Sequence, residues 1–180
     1  MAHEILQALW FFLPAYVANM APVLIGGHLA ALAVPLDGGA MFRGRRVLGD
    51  HKTLRGLVVG VAAGAVTFEV QAALHAADVL RALAPVDYEM LGHWPAFLLG
   101  FGAIAGDAAK SFFKRQIGIA PGASWLGPDQ LDFMIGAIAA CALVWTPTLG
   151  VMLACLPIVF VGDVAVSAIG FSCGLKEAWI

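Results

Sequence analysis

Apolar stretches alternate with short polar ones along the whole chain, and several are long enough for a membrane-crossing helix. The first, residues 5–36, exceeds one membrane thickness and contains Pro14 and Pro22. It predicts a tilted or kinked helix, or a helix followed by a short re-entrant piece. A polar loop over 37–55 follows, with Gly38-Gly39 and the basic run Arg43, Arg45, Arg46. The second span is predicted over 56–77. Its Gly56, Gly60 and Gly64 recur every four residues, a spacing that lets backbones approach closely within the chain or in a dimer. A short loop with Asp78, Arg81, Asp87 and Glu89 leads to a third span over 94–113. After a second polar loop, 114–128, a fourth span covers 129–145 and a fifth 149–171. Thr146-Pro147-Thr148 leaves room only for a tight hairpin between them. The expected fold is all-α: a polytopic membrane helical bundle, one domain over 1–180, with about five transmembrane helices and two polar loops.

Composition supports the membrane class. Hydrophobic residues make up 61% of the chain and charged residues 12%, with a mean hydropathy of +0.88. A soluble domain carries about a quarter charged residues. No cleavable signal peptide is expected, because the start lacks a basic segment and its apolar stretch is too long. Cys141, Cys155 and Cys173 lie in apolar stretches without paired spacing, which argues against a disulfide framework or a zinc site.

Charge placement sets an orientation. Nine of the ten Lys and Arg fall in the two polar loops, beside them, or at the C-terminus; only Arg81 lies opposite. The positive-inside rule then puts loops 37–55 and 114–128 and the C-terminus in the cytoplasm, and the N-terminus outside.

Three clusters of mixed charge gather on that side. Gly49-Asp50-His51-Lys52-Thr53-Leu54-Arg55-Gly56 stands just before the second span. Backbone N–H groups at a helix N-terminus favour anions, and Lys and Arg beside them strengthen that preference. The spaced glycines of a Walker motif are missing, and a solvated, basic membrane flank is the plainer reading. In Gly106-Asp107-Ala108-Ala109-Lys110-Ser111-Phe112-Phe113-Lys114-Arg115, the residues Asp107, Lys110, Ser111 and Lys114 share one helical face, and Phe112 and Phe113 point elsewhere. Asp107 lies inside the membrane boundary, where an ionisable group is costly and marks a functional site, or pairs with Lys110 for structure. Asp129 and Asp132, in Pro128-Asp129-Gln130-Leu131-Asp132, fall on one face of the fourth span. Paired carboxylates suit Mg²⁺, which takes one or two of them plus substrate phosphates. Asp129 alone could be a helix cap, but Asp132 lies too deep for that.

Acidic groups for a metal beside cationic groups for phosphates are what an enzyme acting on a nucleoside triphosphate needs. No Ser-His-Asp or Cys-His pairing is evident. His51 is the only histidine in a polar motif; His3, His28, His75 and His93 read as interfacial or packing residues.

These motifs also carry a family resemblance. Ser111-x-x-Lys114-Arg115, then Pro121-Gly122, then Asp129-Gln130-x-Asp132, with Gly106-Asp107 upstream, resembles the signature of membrane CTP-dependent phosphatidate cytidylyltransferases. Lys52-Thr53-x-x-Gly56 resembles an earlier motif of the same enzymes. The short chain, with Gly49-Asp50-His51-Lys52-Thr53 in its first loop, is most similar to their archaeal branch, the CDP-archaeol synthases. The likeness extends from about Asn19 to Gly174-Leu175-Lys176. It departs from the bacterial pattern where Ile119-Ala120 replaces a Lys-Asp pair, where Ala123-Ser124-Trp125-Leu126-Gly127 replaces a glycine-rich run, and where Gln130 replaces an Arg.

The resemblance implies transfer of CMP from CTP to 2,3-bis-O-geranylgeranylglycerol 1-phosphate, giving CDP-archaeol and pyrophosphate. It implies Mg²⁺ on Asp129, Asp132 and Asp107. Lys52, Asp107, Lys110, Lys114, Asp129 and Asp132 would be catalytic. Asn19, Asp50, His51, Lys52, Thr53, Arg55, Gly56, Lys110, Ser111, Lys114, Arg115, Pro121 and Gly122 would bind CTP or phosphate, with the isoprenoid chains in a groove open to the bilayer. Nucleic acid is not an expected partner, and the oligomeric state stays open. A phosphatidate cytidylyltransferase acting on ester lipids is the nearest alternative. A small transporter is the alternative from another class, kept alive by Glu69 and Asp163, which otherwise read as interhelical hydrogen-bonding groups. A CDP-alcohol phosphotransferase would need a longer run of spaced acidic residues with an Arg, and none is present.

Overall fold

Proline breaks the first apolar stretch. In the computed structural model, which describes residues 1–25, 28–120 and 123–172, it forms two helices, α1 (Ala2–Phe11) and α2 (Leu13–Leu24), bent by 43°. Pro14 stands in the first turn of α2. It has no N–H to give the carbonyl four residues back, and its ring crowds that carbonyl. That carbonyl belongs to Trp10, and Gln71 Nε2 donates to it at 2.6 Å. A backbone N–H at the end of α1 also donates to this carbonyl, so the Gln71 amide adds a second donor and stitches the kink to the next long helix.

Loop 37–55 is more ordered than its polarity suggests. Met41–Phe42 (β1) pairs antiparallel with Arg45–Arg46 (β2), across a turn where Arg43 and Gly44 both have positive φ. Asp37 is the loop's anchor. Its carboxylate accepts from Arg46 Nη2 at 2.7 Å, Leu48 N at 2.9 Å, Gly49 N at 3.0 Å and Gly39 N at 3.1 Å. The Arg46 guanidinium, then the backbone donors, hold this carboxyl well below the usual carboxylate range. Arg45 Nη1 donates to the Arg115 and Gln116 carbonyls, tying the hairpin to the end of the third long helix.

Helix α3 (Leu54–Ala76) begins at an N-cap, where Thr53 Oγ1 accepts from Gly56 N at 3.2 Å. The short α4 (Tyr88–Leu91) leads to α5 (Trp94–Gln116). This helix runs three residues past the expected 113, so Lys114 and Arg115 are helical rather than in a loop. Helices α6 (Pro128–Cys141) and α7 (Leu149–Ser172) complete the bundle. By length and composition α3 and α5 can each cross a membrane, and the bent α1–α2 pair makes a third candidate. The expected span over 129–145 is observed as a 14-residue helix, about 21 Å long at 1.5 Å per residue. Beyond it the chain turns so that Trp145 packs on Phe11, ring centroids 4.6 Å apart.

Glycines set the helix spacing. A Cβ on Gly60 would lie 2.5 Å from Ile104 Cδ1 and 2.9 Å from the Ala18 carbonyl, and one on Gly64 would lie 2.9 Å from Gly100 Cα. The expected ladder therefore seats α3 on α2 and α5 within the chain. Gly106 and Gly136 bring α5 and α6 closer still: a Cβ on Gly106 would fall 2.2 Å from the Asp132 carbonyl. Away from these contacts, Phe11, Phe12, Phe68, Tyr88, Leu99, Phe133 and Met134 fill the core. Cys141 is buried there, and Cys155 packs in a second cluster with Ala8 and Val151.

Candidate active site

The N-terminal ends of α3 and α6 and the C-terminal half of α5 meet at one end of the bundle. Between them opens a cleft of about 1110 Å³, walled also by Asn19, Pro22 and Val23 of α2 and by Asp163 and Ser167 of α7. Thr53's cap turns the chain so that Lys52 points across to α5, where its ammonium pairs with Asp107. Asp107, Lys110 and Lys114 follow at helical spacing along the α5 face. The glycine seam carries Asp132 against that face.

Lys110 is the hub. Its Nζ stands 3.1 Å from Asp107 Oδ1, 3.1 Å from Asp129 Oδ1 and 2.6 Å from Asp132 Oδ2. Lys114 Nζ lies 3.0 Å from Asp129 Oδ2 and donates to the Ala123 carbonyl. Lys52, Lys110 and Lys114 thus face Asp107, Asp129 and Asp132 as an alternating network. Every side chain in it is at least three-quarters withdrawn from solvent. Buried charges of this kind persist only when paired, and removing one leaves its partner uncompensated. Of the polar atoms in the network, Asp132 Oδ2 is fully buried and lacks a well-oriented hydrogen-bond donor among the described residues, although the Lys110 ammonium is near.

Asp129 does not cap α6. Its Oδ2 accepts from Trp125 N at 2.6 Å, folding the preceding loop back. Gln130 takes the capping role, its Oε1 accepting from Gly127 N at 2.7 Å. The Gln that stands where the bacterial signature has Arg therefore secures the helix start, and it lines the cleft as well.

Most expected site residues converge here. Asn19, His51, Lys52, Thr53, Arg55, Gly56, Asp107, Lys110, Lys114, Asp129 and Asp132 all line the cleft. Arg55 is also held by the His28 carbonyl at 3.1 Å. Asp50, Ser111 and Arg115 do not reach the cleft. They line a separate cavity of about 300 Å³ behind it, together with Arg46, Leu48 and Gly49. Asp50 there pairs with Arg46 at 2.8 Å. Phe112 packs on Phe42, centroids 5.8 Å apart, as the helical face requires. Pro121 and Gly122 lie outside the described residues, as do Cys173 and Lys176.

Several cleft residues were not expected, among them Gln130 and Ser124 and, on the last helix, a polar pair. Asp163 and Ser167 sit four apart on α7 and both line the cavity. Asp163's depth in an apolar helix was the available signal for a functional position. Glu69 does serve as an interhelical group, at 2.7 Å from His93 Nδ1.

The donor set limits how a metal can be held. Among the described residues, no three carboxylate, imidazole or thiolate groups stand close enough together to hold an ion by themselves. The set fits an ion that takes one or two carboxylates and completes its shell from phosphate oxygens and water, as Mg²⁺ does.

The chain is similar to known proteins over most of its length. The CarS-like family, described as CDP-archaeol synthase, matches residues 1–180. A CDP-archaeol synthase of Halorubrum lacusprofundi is 42% identical, over 96% of either chain. One of Methanopyrus kandleri is 40% identical, over 97% of this chain and 92% of its own. A solved structure of an intramembrane enzyme for archaeal membrane lipid biosynthesis superposes with a TM-score of 0.72 at 36% identity, covering 90% of this chain and 93% of that one. With the polar cleft at one end of a helical bundle and the match running from end to end, the chain belongs to the CDP-archaeol synthase family.

Proposed function

We propose that the cleft binds CTP together with the phosphate of 2,3-bis-O-geranylgeranylglycerol 1-phosphate and transfers CMP to it, giving CDP-archaeol and pyrophosphate. The enzyme is a CTP-dependent lipid-phosphate cytidylyltransferase, the activity for which its family is named. The observation that carries the proposal is the alternating network of Lys52, Lys110 and Lys114 with Asp107, Asp129 and Asp132. Without substrate these groups neutralise one another. A nucleoside triphosphate offers the lysines better partners and frees the carboxylates.

Asp132 and Asp129 would hold Mg²⁺, with Asp107 as a further ligand or polar partner. The ion supplies charge neutralisation at the reacting phosphorus and orients the triphosphate oxygens. Lys110, already placed among the three aspartates, would move onto the α-phosphate as it becomes more negative. Lys52 and Arg55 would take the phosphates from the α3 side and Lys114 from the α5 side. Asn19 and Pro22, at the α2 wall, stand where the lipid phosphate enters. Val23 of α2 and Leu57 of α3 add apolar lining, which suits the first part of the lipid chains. No protein nucleophile is required, because the lipid phosphate oxygen attacks the α-phosphorus in line.

The same reading puts α6 and α7 within the bilayer as the fourth and fifth spans. It places the cleft on the cytoplasmic side, where Lys and Arg concentrate and CTP is available. A direct test offers CTP with ether and ester lipid phosphates in one mixture to the detergent-solubilised enzyme. CDP-lipid should form from the ether phosphate in preference. Equal or greater use of the ester would favour the phosphatidate reading.

A further inference from the structure

The first-loop hairpin presents apolar and cationic groups together where β1 meets the end of α5. Met41 is 59% exposed and Phe42 45%. Phe42 packs on Phe112, which sets its ring edge-on to Phe113, itself 56% exposed. Arg43 at the tip has positive φ, a conformation that two-residue turns usually give to Asn, Asp or Gly. Its guanidinium lies 5.4 Å over the Phe42 ring. The loop's two carboxylates, Asp37 and Asp50, both pair with Arg46, so neither neutralises Arg43 or Arg45. Depth along α5 locates this patch. Trp94, exposed, opens the helix. Phe112 lies about 27 Å farther along at 1.5 Å per residue, close to the ~30 Å of a bilayer's hydrocarbon core. Lys114 and Arg115 follow at once, and Arg45 holds the hairpin to the Arg115 and Gln116 carbonyls. With α5 across the membrane, the hairpin lies at headgroup depth.

We propose that hairpin 41–46 docks on the surface of the bilayer that holds the helices, and that it selects anionic lipid headgroups there. Met41 and Phe42 enter the boundary between headgroups and lipid chains, as the apolar face of an interfacial segment does. Arg43 and Arg45 meet the headgroup phosphates, and a guanidinium suits a phosphate in both charge and shape. Basic groups beside a span are drawn to anionic headgroups, and the attraction dies away within a Debye length. At headgroup depth both arginines are inside that range. The same loop carries His51 and Lys52 into the cleft, so the lipid surface braces one wall of it.

The test follows trypsin cleavage after Arg43 in the full chain, held in lipid nanodiscs of phosphatidylcholine alone or with about one-third phosphatidylglycerol. Exposed turns are preferred sites of nicking. Arg81, 60% exposed beyond the far end of α3, is the internal control. Cleavage after Arg43 should slow at least about fivefold in the anionic discs, and about 0.5 M salt should abolish the difference. Cleavage after Arg81 should change less than twofold. Met41→Glu sets a negative charge against the headgroups and should remove the protection, with thermal unfolding reporting that the variant is folded. Equal cleavage after Arg43 in the two discs, equal slowing at Arg81, or protection that survives salt or a folded Met41→Glu would overturn the proposal. The wild-type comparison decides the matter even where the variant does not fold.

Discussion

Lys110 Nζ lies 2.6 Å from Asp132 Oδ2, across the seam where α5 and α6 touch backbone to backbone. The contact joins the two roles the site requires, since one partner carries charge toward phosphate and the other toward a metal. It depends on the helices being closer than any side chain at Gly106 would allow. Geometry at the seam and chemistry at the site are therefore linked.

Gly106→Ala should test that link. The added methyl meets the Asp132 carbonyl at 2.2 Å, so α6 must shift. Overpacking of this kind costs about 1–3 kcal/mol, and turnover should fall more than stability because Asp132 moves with the helix. Gly150→Ala is the control, because no atom lies within 4 Å of its added methyl. Its thermal unfolding in detergent and its turnover should stay near wild type.

Gln71→Leu should destabilise the protein without touching the cleft. It removes the side-chain donor that joins α3 to the Trp10 carbonyl at the Pro14 break, a carbonyl that keeps its backbone donor. Loss of such a hydrogen bond costs about 0.5–1.5 kcal/mol net. Thermal unfolding should report that loss, with KM for CTP unchanged.

Asp37 predicts a pH effect on the first loop. Its folded-state pKa is depressed, chiefly by Arg46, from the ordinary 3.8. A depressed carboxyl stabilises the fold fully above its unfolded pKa and loses that contribution as pH falls through the folded value. The loop should thus be intact at neutral pH and loosen below about pH 4. Asp37→Asn should remove this dependence. Because the loop positions His51 and Lys52, the variant should also raise KM for CTP severalfold at pH 7. Proteolysis of the loop against pH, in wild type and variant, checks the first point.

Much of the site was legible because its residues are local in sequence. The spacing of Asp107, Lys110 and Lys114 places them on one α5 face, and the glycine ladder of α3 announces close packing. The break at Pro14 was also readable, but its partner Gln71 comes from a distant helix and carries no motif. Lys110 as the hub of three aspartates depends on the α5–α6 seam, which no local pattern specifies. Asp163 and Ser167 were missed as cleft residues because α7 is apolar all round, so the sequence does not tell which face looks inward. Ser111 and Arg115 sit beside the cleft residues in sequence, yet the helical turn sends them into the cavity behind.

The most direct measurement is CTP turnover by the purified enzyme with ether lipid phosphate, following pyrophosphate release with and without Mg²⁺, beside Asp132→Asn. Mg²⁺-dependent release that the variant lowers at least about a hundredfold is the predicted result. Release that persists in the variant at the wild-type rate, or a folded wild type inactive on both ether and ester lipid phosphates, would contradict the account.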